Sequence, residues 1–128
     1  MSDIYMENIL DHFKHPRNYG KIEDYDAFFE GGNPTCGDMV RIYVKLDDSK
    51  QYIKDIKFEG KGCAISQASA SIITELVKNK SIEFVKSLTK DDIINELGIE
   101  ISPTRMKCAI LALETLRIAL FGSEFKLV

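Results

Sequence analysis

Cysteine is scarce in this 128-residue chain: there are three, Cys36, Cys63 and Cys108. An odd count argues against a closed disulfide framework. No C-x-x-C pair occurs, so only the fold could give the three a joint role. Histidine is scarcer, with His12 and His15 alone. Both fall beside a predicted helix end, far in sequence from every cysteine, where surface or capping roles compete with ligation. No apolar run approaches the roughly 18 residues that a membrane-crossing helix needs. Excess charge of one sign is missing too: a net charge of −3 gives no general attraction to nucleic acid or to an anionic membrane. Met1 to Phe13 is mixed and acidic with no apolar core, so no signal peptide is expected. A reducing cytoplasm is the expected setting, where thiols serve as metal ligands, nucleophiles or core residues rather than bridges. Internal repeats and low-complexity segments are absent.

The chain does have the makings of one core. Its 45% hydrophobic and 29% charged residues suit a single globular domain over residues 1–128. Its focus is Gly31-Gly32-Asn33-Pro34-Thr35-Cys36-Gly37-Asp38. Glycine allows positive φ, proline fixes φ and asparagine bonds its own backbone, so this stretch reads as a loop. A thiol and a carboxylate two positions apart in such a loop could face one metal ion.

Ile4 to Phe13 reads as a helix, with Tyr5, Ile9, Leu10 and Phe13 on one side, stopped by His15-Pro16. Arg17 to Gly20 is a turn. Ala27 to Phe29 forms a short strand into the Cys36 loop. Met39 to Leu46 alternates cleanly, Val40, Ile42, Val44 and Leu46 inward and Arg41, Tyr43 and Lys45 outward. Asp47 to Lys50 turns into a second strand, Tyr52 to Glu59, which Gly60-Lys61-Gly62 breaks. Ala64 to Asn79 is helical, with Ala68, Ile72, Leu76 and Val77 inward. Its first turns carry small residues that allow close approach to other backbone. Cys63 sits at its start, where unsatisfied N–H groups stabilise a thiolate. Two short helices follow, one capped by Ser81 and one opening at Thr89-Lys90-Asp91-Asp92 and ending at Leu97-Gly98. Ser102 and Pro103 begin the last and longest helix, whose core stripe reads Met106, Ile110, Leu113 and Leu120. Cys108 lies near its first turns beside Arg105 and Lys107, two cations that favour a thiolate.

Each cysteine thus lies at a loop or an element's start, and none in the middle of an apolar stripe. Inert core packing competes with ligation for Cys63 and Cys108. If the hairpin end and the two helix starts meet, three thiolates and Asp38 make a four-ligand site. Such donors suit zinc or an iron–sulfur cluster, and a carboxylate holds a cluster less tightly than a fourth thiolate.

These residues resemble the IscU/NifU-type iron–sulfur cluster assembly scaffolds nearly end to end. The resemblance rests on Tyr5 through His12, Pro16-Arg17-Asn18-Tyr19-Gly20, Gly32 through Asp38, Gly62 through Ser69, and Lys107-Cys108-Ala109. It implies a SufE/IscU-like α+β fold, a small three-stranded antiparallel sheet packed against helices, with a long C-terminal helix. It implies that Cys36, Asp38, Cys63 and Cys108 converge at one exposed end to hold iron as a 2Fe–2S cluster. Sulfur would come from a cysteine desulfurase to one of these thiols, with Cys108 and Cys36 the acceptor candidates. The cluster would pass to apo-acceptor or carrier proteins. No enzymatic step is expected, since no general base sits beside a nucleophile. Tyr5 stands where the family has an aromatic that assists a cluster-bound homodimer.

Two departures stand out. Most IscU proteins have a histidine before the third cysteine, in a Leu-Pro-Pro-Val-Lys-Ile-His-Cys run that a dedicated Hsp70-type chaperone docks on. Here the run is Ile101-Ser102-Pro103-Thr104-Arg105-Met106-Lys107-Cys108. Lys107 is then expected to act as a charge and not as a ligand, because a lysine ligates only if burial strips its proton. The Arg-x-Lys-Cys pattern is similar to the SufU branch, which binds zinc and relays sulfur. That branch carries an extra segment between its second and third cysteines, whereas Cys63 and Cys108 are 45 positions apart, as in IscU. The alternatives are therefore a zinc-binding SufU-like sulfurtransfer partner of a desulfurase and a small structural zinc protein.

Overall fold

The computed structural model describes residues 3–33, 37–98 and 100–122, with the side chains of residues 3–6, 33 and 104 left aside. Eight elements follow in chain order: α1 (Asp3–Lys14), β1 (Ala27–Asn33), β2 (Asp38–Leu46), β3 (Ile53–Lys61), α2 (Ala64–Val77), α3 (Ile82–Ser87), α4 (Lys90–Leu97) and α5 (Pro103–Phe121). The three strands form one antiparallel sheet in the order β1-β2-β3. This is the expected α+β architecture. Among the described residues no helix is long and apolar enough to cross a membrane.

The inward row of β2 is buried at Val40, Ile42 and Val44, and Ile56 and Phe58 of β3 are fully buried opposite it. Burying one such side chain contributes about 1.5–3 kcal/mol. Tyr43 keeps the expected alternation but is covered. It points to the outer face, yet is only 8% exposed, because Tyr25 and Phe28 close over its ring with centroids 5.8 and 4.9 Å away. The outer edge of β3 is covered by the turn after α1: Gly20 N–H donates to Phe58 O (2.8 Å) and Phe58 N–H to Asn18 O (3.0 Å).

Two strand ends run further than their glycines suggest. β1 continues through Gly31 and Gly32 to pair Asn33 with Asp38, so residues 34–37 alone connect the hairpin. β3 continues through Gly60 and Lys61, pairing Gly60 with Val40, so Gly62 marks the break. In both places glycine answers a packing need. A Cβ on Gly31 would strike the Thr115 side chain on α5, and one on Gly60 would lie 2.5 Å from Met39 O.

α2 runs through the middle of the molecule, against α1, α5 and β3. Every residue from Ser66 to Thr74 is buried, which a one-sided apolar stripe does not anticipate. Buried hydroxyls need partners, and these have them. Ser69 Oγ donates to Ala109 O (2.6 Å), Thr74 Oγ1 to Ser71 O (2.7 Å), and Ser71 Oγ meets His12 Nδ1 (2.7 Å). The short helices are capped as expected. Ser81 Oγ accepts from Phe84 N–H, Thr89 and Asp92 form a reciprocal capping box, and Gly98 ends α4 at φ 77°.

The core side of α5 keeps Leu113 of the expected stripe and is otherwise displaced from it. Met106, Ile110 and Leu120 are only partly buried, while Cys108, Ala109, Leu111, Ala112, Leu113 and Leu116 form the buried side. The expected stripe is made of large apolar residues. Closeness to α2 instead selects small ones, since Ser69 reaches the α5 backbone directly.

Candidate metal centre

Asp38 opens β2, Cys63 is the N-cap residue of α2, and Cys108 lies two turns into α5. One ligand atom from each falls within 4.8 Å of the others. Neither Cys63 nor Cys108 is disulfide-bonded. Cys36 lies outside the described residues.

The corner at residues 60–63 sets Cys63 against Asp38. Gly62 has φ 141°, a backbone that side-chain-bearing residues avoid. A Cβ there would also collide with the Asp38 carboxylate, so the carboxylate packs directly on the glycine. Across that contact Asp38 Oδ1 accepts from Cys63 N–H at 3.0 Å, and the Cys63 thiol lies 3.6 Å from Oδ2. The carboxylate therefore stands at the positive end of α2, where the peptide dipoles favour negative charge. Ser66 Oγ donates back to Cys63 O (3.1 Å), fixing the first turn. Sequence reading passed over Gly62 as a simple strand breaker. Its signal was the glycine immediately before a candidate ligand.

Cys108 departs from expectation. It is fully buried and lies within the small-residue side of α5, not at an exposed end. Asp38 is 3% exposed and Cys63 is half-buried, so the three donors lie recessed, with Cys63 the most exposed of them. Arg105 and Lys107 are both exposed, on the solvent side of the helix that turns Cys108 inward. Tyr5 belongs to α1, and its side chain lies outside what is described.

The histidines are not part of this group. His12 is buried between α1 and α2, with Nδ1 on Ser71 Oγ and Nε2 3.9 Å from Glu75 Oε1. Burial, followed by the Arg17 charge, holds its pKa below the ordinary histidine value, with Glu75 and Asp11 opposing. Ser71 Oγ also accepts from Arg17 N–H (2.9 Å), tying the turn after α1 to α2. His15 is exposed.

The donor chemistry fits a metal ion. Metal–sulfur and metal–oxygen bonds of about 2.3 and 2.0 Å in a tetrahedron place the two donors roughly 3.5 Å apart. Cys63 Sγ and Asp38 Oδ2 stand at 3.6 Å.

Comparison with known proteins adds the following. The sequence profile of the NifU-like N-terminal domain matches residues 4–126. The iron–sulfur cluster assembly scaffold protein IscU 1 of Archaeoglobus fulgidus is 43% identical over 117 residues, 91% of this chain and 74% of that protein. The zinc-dependent sulfurtransferase SufU of Bacillus subtilis is 38% identical over 133 aligned positions, covering 91% of this chain and 88% of that protein. That alignment is longer than the 128-residue chain, so the Bacillus protein has residues within it that this chain lacks. A crystal structure from Fervidobacterium islandicum AW-1, described as a candidate iron–sulfur cluster assembly scaffold of the SUF system, superposes with a TM-score of 0.76. It is 36% identical, covering 92% of this chain and 97% of that one.

Proposed function

The chain belongs to the NifU-like N-terminal domain family, and from that premise we propose that it is an iron–sulfur cluster assembly scaffold. The observation that carries the reading is the convergence of Asp38, Cys63 and Cys108 from three separate elements on one point. Cys36, on the hairpin connection that leads into Asp38, completes a three-thiolate, one-carboxylate set for iron. The 2Fe–2S cluster is cargo, built here from iron and from sulfur given by a cysteine desulfurase, then passed to apo-acceptor or carrier proteins. Cys108 and Cys36 are the sulfur acceptors. A loosely held cargo is supported by one of its four holders being a hard carboxylate oxygen, Asp38 Oδ2, whose partner Oδ1 is engaged with the Cys63 amide. Lys107 acts through its charge and Arg105 beside it. We read residues 1–128 as one functional unit working in the cytoplasm, without catalysis of its own, and pairing through Tyr5 when loaded.

A second reading has its own support. Donor atoms within 4.8 Å crowd a single ion more naturally than a pair of irons. That favours zinc as an alternative occupant and a SufU-like role in sulfur transfer, which would be enzymatic. Against it stands the shorter Cys63–Cys108 stretch relative to the pattern of that branch. Anaerobic reconstitution with iron, cysteine and a desulfurase decides between them. A scaffold gains visible absorption with one cluster per one or two chains. Colourless protein that retains zinc and stimulates the desulfurase overturns that reading.

A further inference from the structure

The last turns of α2, with α1, α3 and α4, enclose two adjoining depressions of about 430 and 400 Å³. Leu76 and Glu96 line both, so the two make one groove. Its floor is mixed: Ile72 and Leu76 of α2 beside Asn8 and His12 of α1, then Phe84 and Leu88 beside Ser87 and Asn95. Its rim is acidic, with Glu75, Asp92 and Glu96 all exposed. Asp92 is held in place by the Thr89 amide, which keeps its charge at the rim. Among the described residues neither depression is lined by a lysine or arginine; Lys80 stacks 5.9 Å from the Phe84 ring centroid without lining the groove. The walls are helices whose backbone groups bond internally. An extended peptide would find no strand edge there, so an occupant must satisfy its own backbone, as a helix does.

We propose that this groove docks a basic amphipathic helix of a partner protein. Its apolar face would lie on the partly buried Leu76 and Phe84, above the buried Ile72 and Leu88, and its lysines or arginines against Glu75 and Glu96. Charge complementarity selects the occupant, because an acid-rimmed, partly apolar groove repels acidic helices and leaves polar ones without gain. The groove and the metal recess sit at opposite ends of α2. Leu76 lies thirteen positions after Cys63, and at a rise of 1.5 Å per position that is about 20 Å. A partner held in the groove therefore leaves the recess open, and the docking does not depend on what the recess holds.

The test adds an 18-residue leucine–lysine amphipathic peptide to the full chain and follows side-chain methyl and aromatic resonances. Shifts centred on Ile72, Leu76, Phe84 and Leu88 are expected, with affinity falling at least tenfold in Glu75→Lys/Glu96→Lys. Both positions are exposed, so the variant should fold, which circular dichroism checks. Asp47→Lys/Asp48→Lys, on the β2–β3 turn, should bind as the parent does. The proposal is overturned by a footprint elsewhere, by equal affinity in the two charge-reversal variants, or by light scattering that shows the groove filled by a second copy of this chain.

Discussion

Both oxygens of the Asp38 carboxylate face one residue: Oδ1 takes the Cys63 amide proton at 3.0 Å, while Oδ2 stands 3.6 Å from the Cys63 sulfur. One side chain thus holds the start of α2 and borders the thiol that would share its metal. Asp38→Ala should act twice. The metal-free protein should lose about 1–3 kcal/mol, as expected for a buried amide left without its charged acceptor. The loaded protein should release its cluster more slowly. Urea denaturation measures the first, and circular dichroism during transfer to an apo-ferredoxin the second. Transfer at the parental rate would remove Asp38 from cargo release.

Gly62→Ala tests the cradle. Its backbone stands at φ 141°, and the added methyl meets the Asp38 carboxylate. The expected cost is about 1–3 kcal/mol, together with at least a tenfold loss of zinc affinity in a chelator competition. Gly37→Ala, also at positive φ but with nothing within 4 Å of the added atom, should keep the affinity. Equal affinities in parent and Gly62→Ala would show that the carboxylate does not need this contact.

Thiol accessibility separates the two described cysteines. Cys63 is half-buried and Cys108 fully buried. In a Cys36→Ser background, iodoacetamide should label Cys63 at least tenfold faster, by mass spectrometry of the metal-free protein. Lys107→Gln should slow the labelling of Cys108 if the ammonium assists that thiol. Labelling of both cysteines at one rate would mean that α5 opens in solution faster than the reagent acts.

Stability should fall as acid reaches His12. Its folded pKa is lowered, first by burial and then by Arg17, from the ordinary 6.5 of the unfolded chain. Above 6.5 the imidazole is neutral in both states, and its packing contributes fully. As pH drops below 6.5 the unfolded chain takes the proton first, and the contribution is lost on the way down to the folded pKa. Urea midpoints at pH 7.5 and 5.5 should differ more in the parent than in His12→Gln. Identical pH slopes would assign the acid sensitivity to other groups.

Local chemistry was legible in the sequence where one residue decides one bond. Ser81, Thr89 with Asp92, Gly98 and the Ser102-Pro103 pair mark their helix ends as expected. What escaped was closeness. The expected α5 stripe of Met106, Ile110, Leu113 and Leu120 leaves out Ala109, and Gly31 and Gly60 read as turn and break residues. At Ala109, Gly31 and Gly60 the backbone meets a neighbour directly. Tyr43 looked exposed by alternation, because the rings that cover it come from Tyr25 and Phe28. The meeting of Asp38, Cys63 and Cys108 has no local signal. Residues 25 and 45 positions apart join only through the packing of α2 against α5 and the sheet, and resemblance to a known family reached it where spacing could not.

The contacts of α5 make the walls of the recess unequal. On one side Thr115 fills the space that a Gly31 side chain would take, and on the other Ser69 grips the carbonyl next to Cys108. Turning α5 by one residue would swap Cys108 for Lys107 and tear both contacts at once. The helix is the anvil of the site: it cannot yield by small degrees. An occupant larger than one ion would therefore have to displace the opposite wall, where the Asp38 carboxylate packs on Gly62, rather than α5.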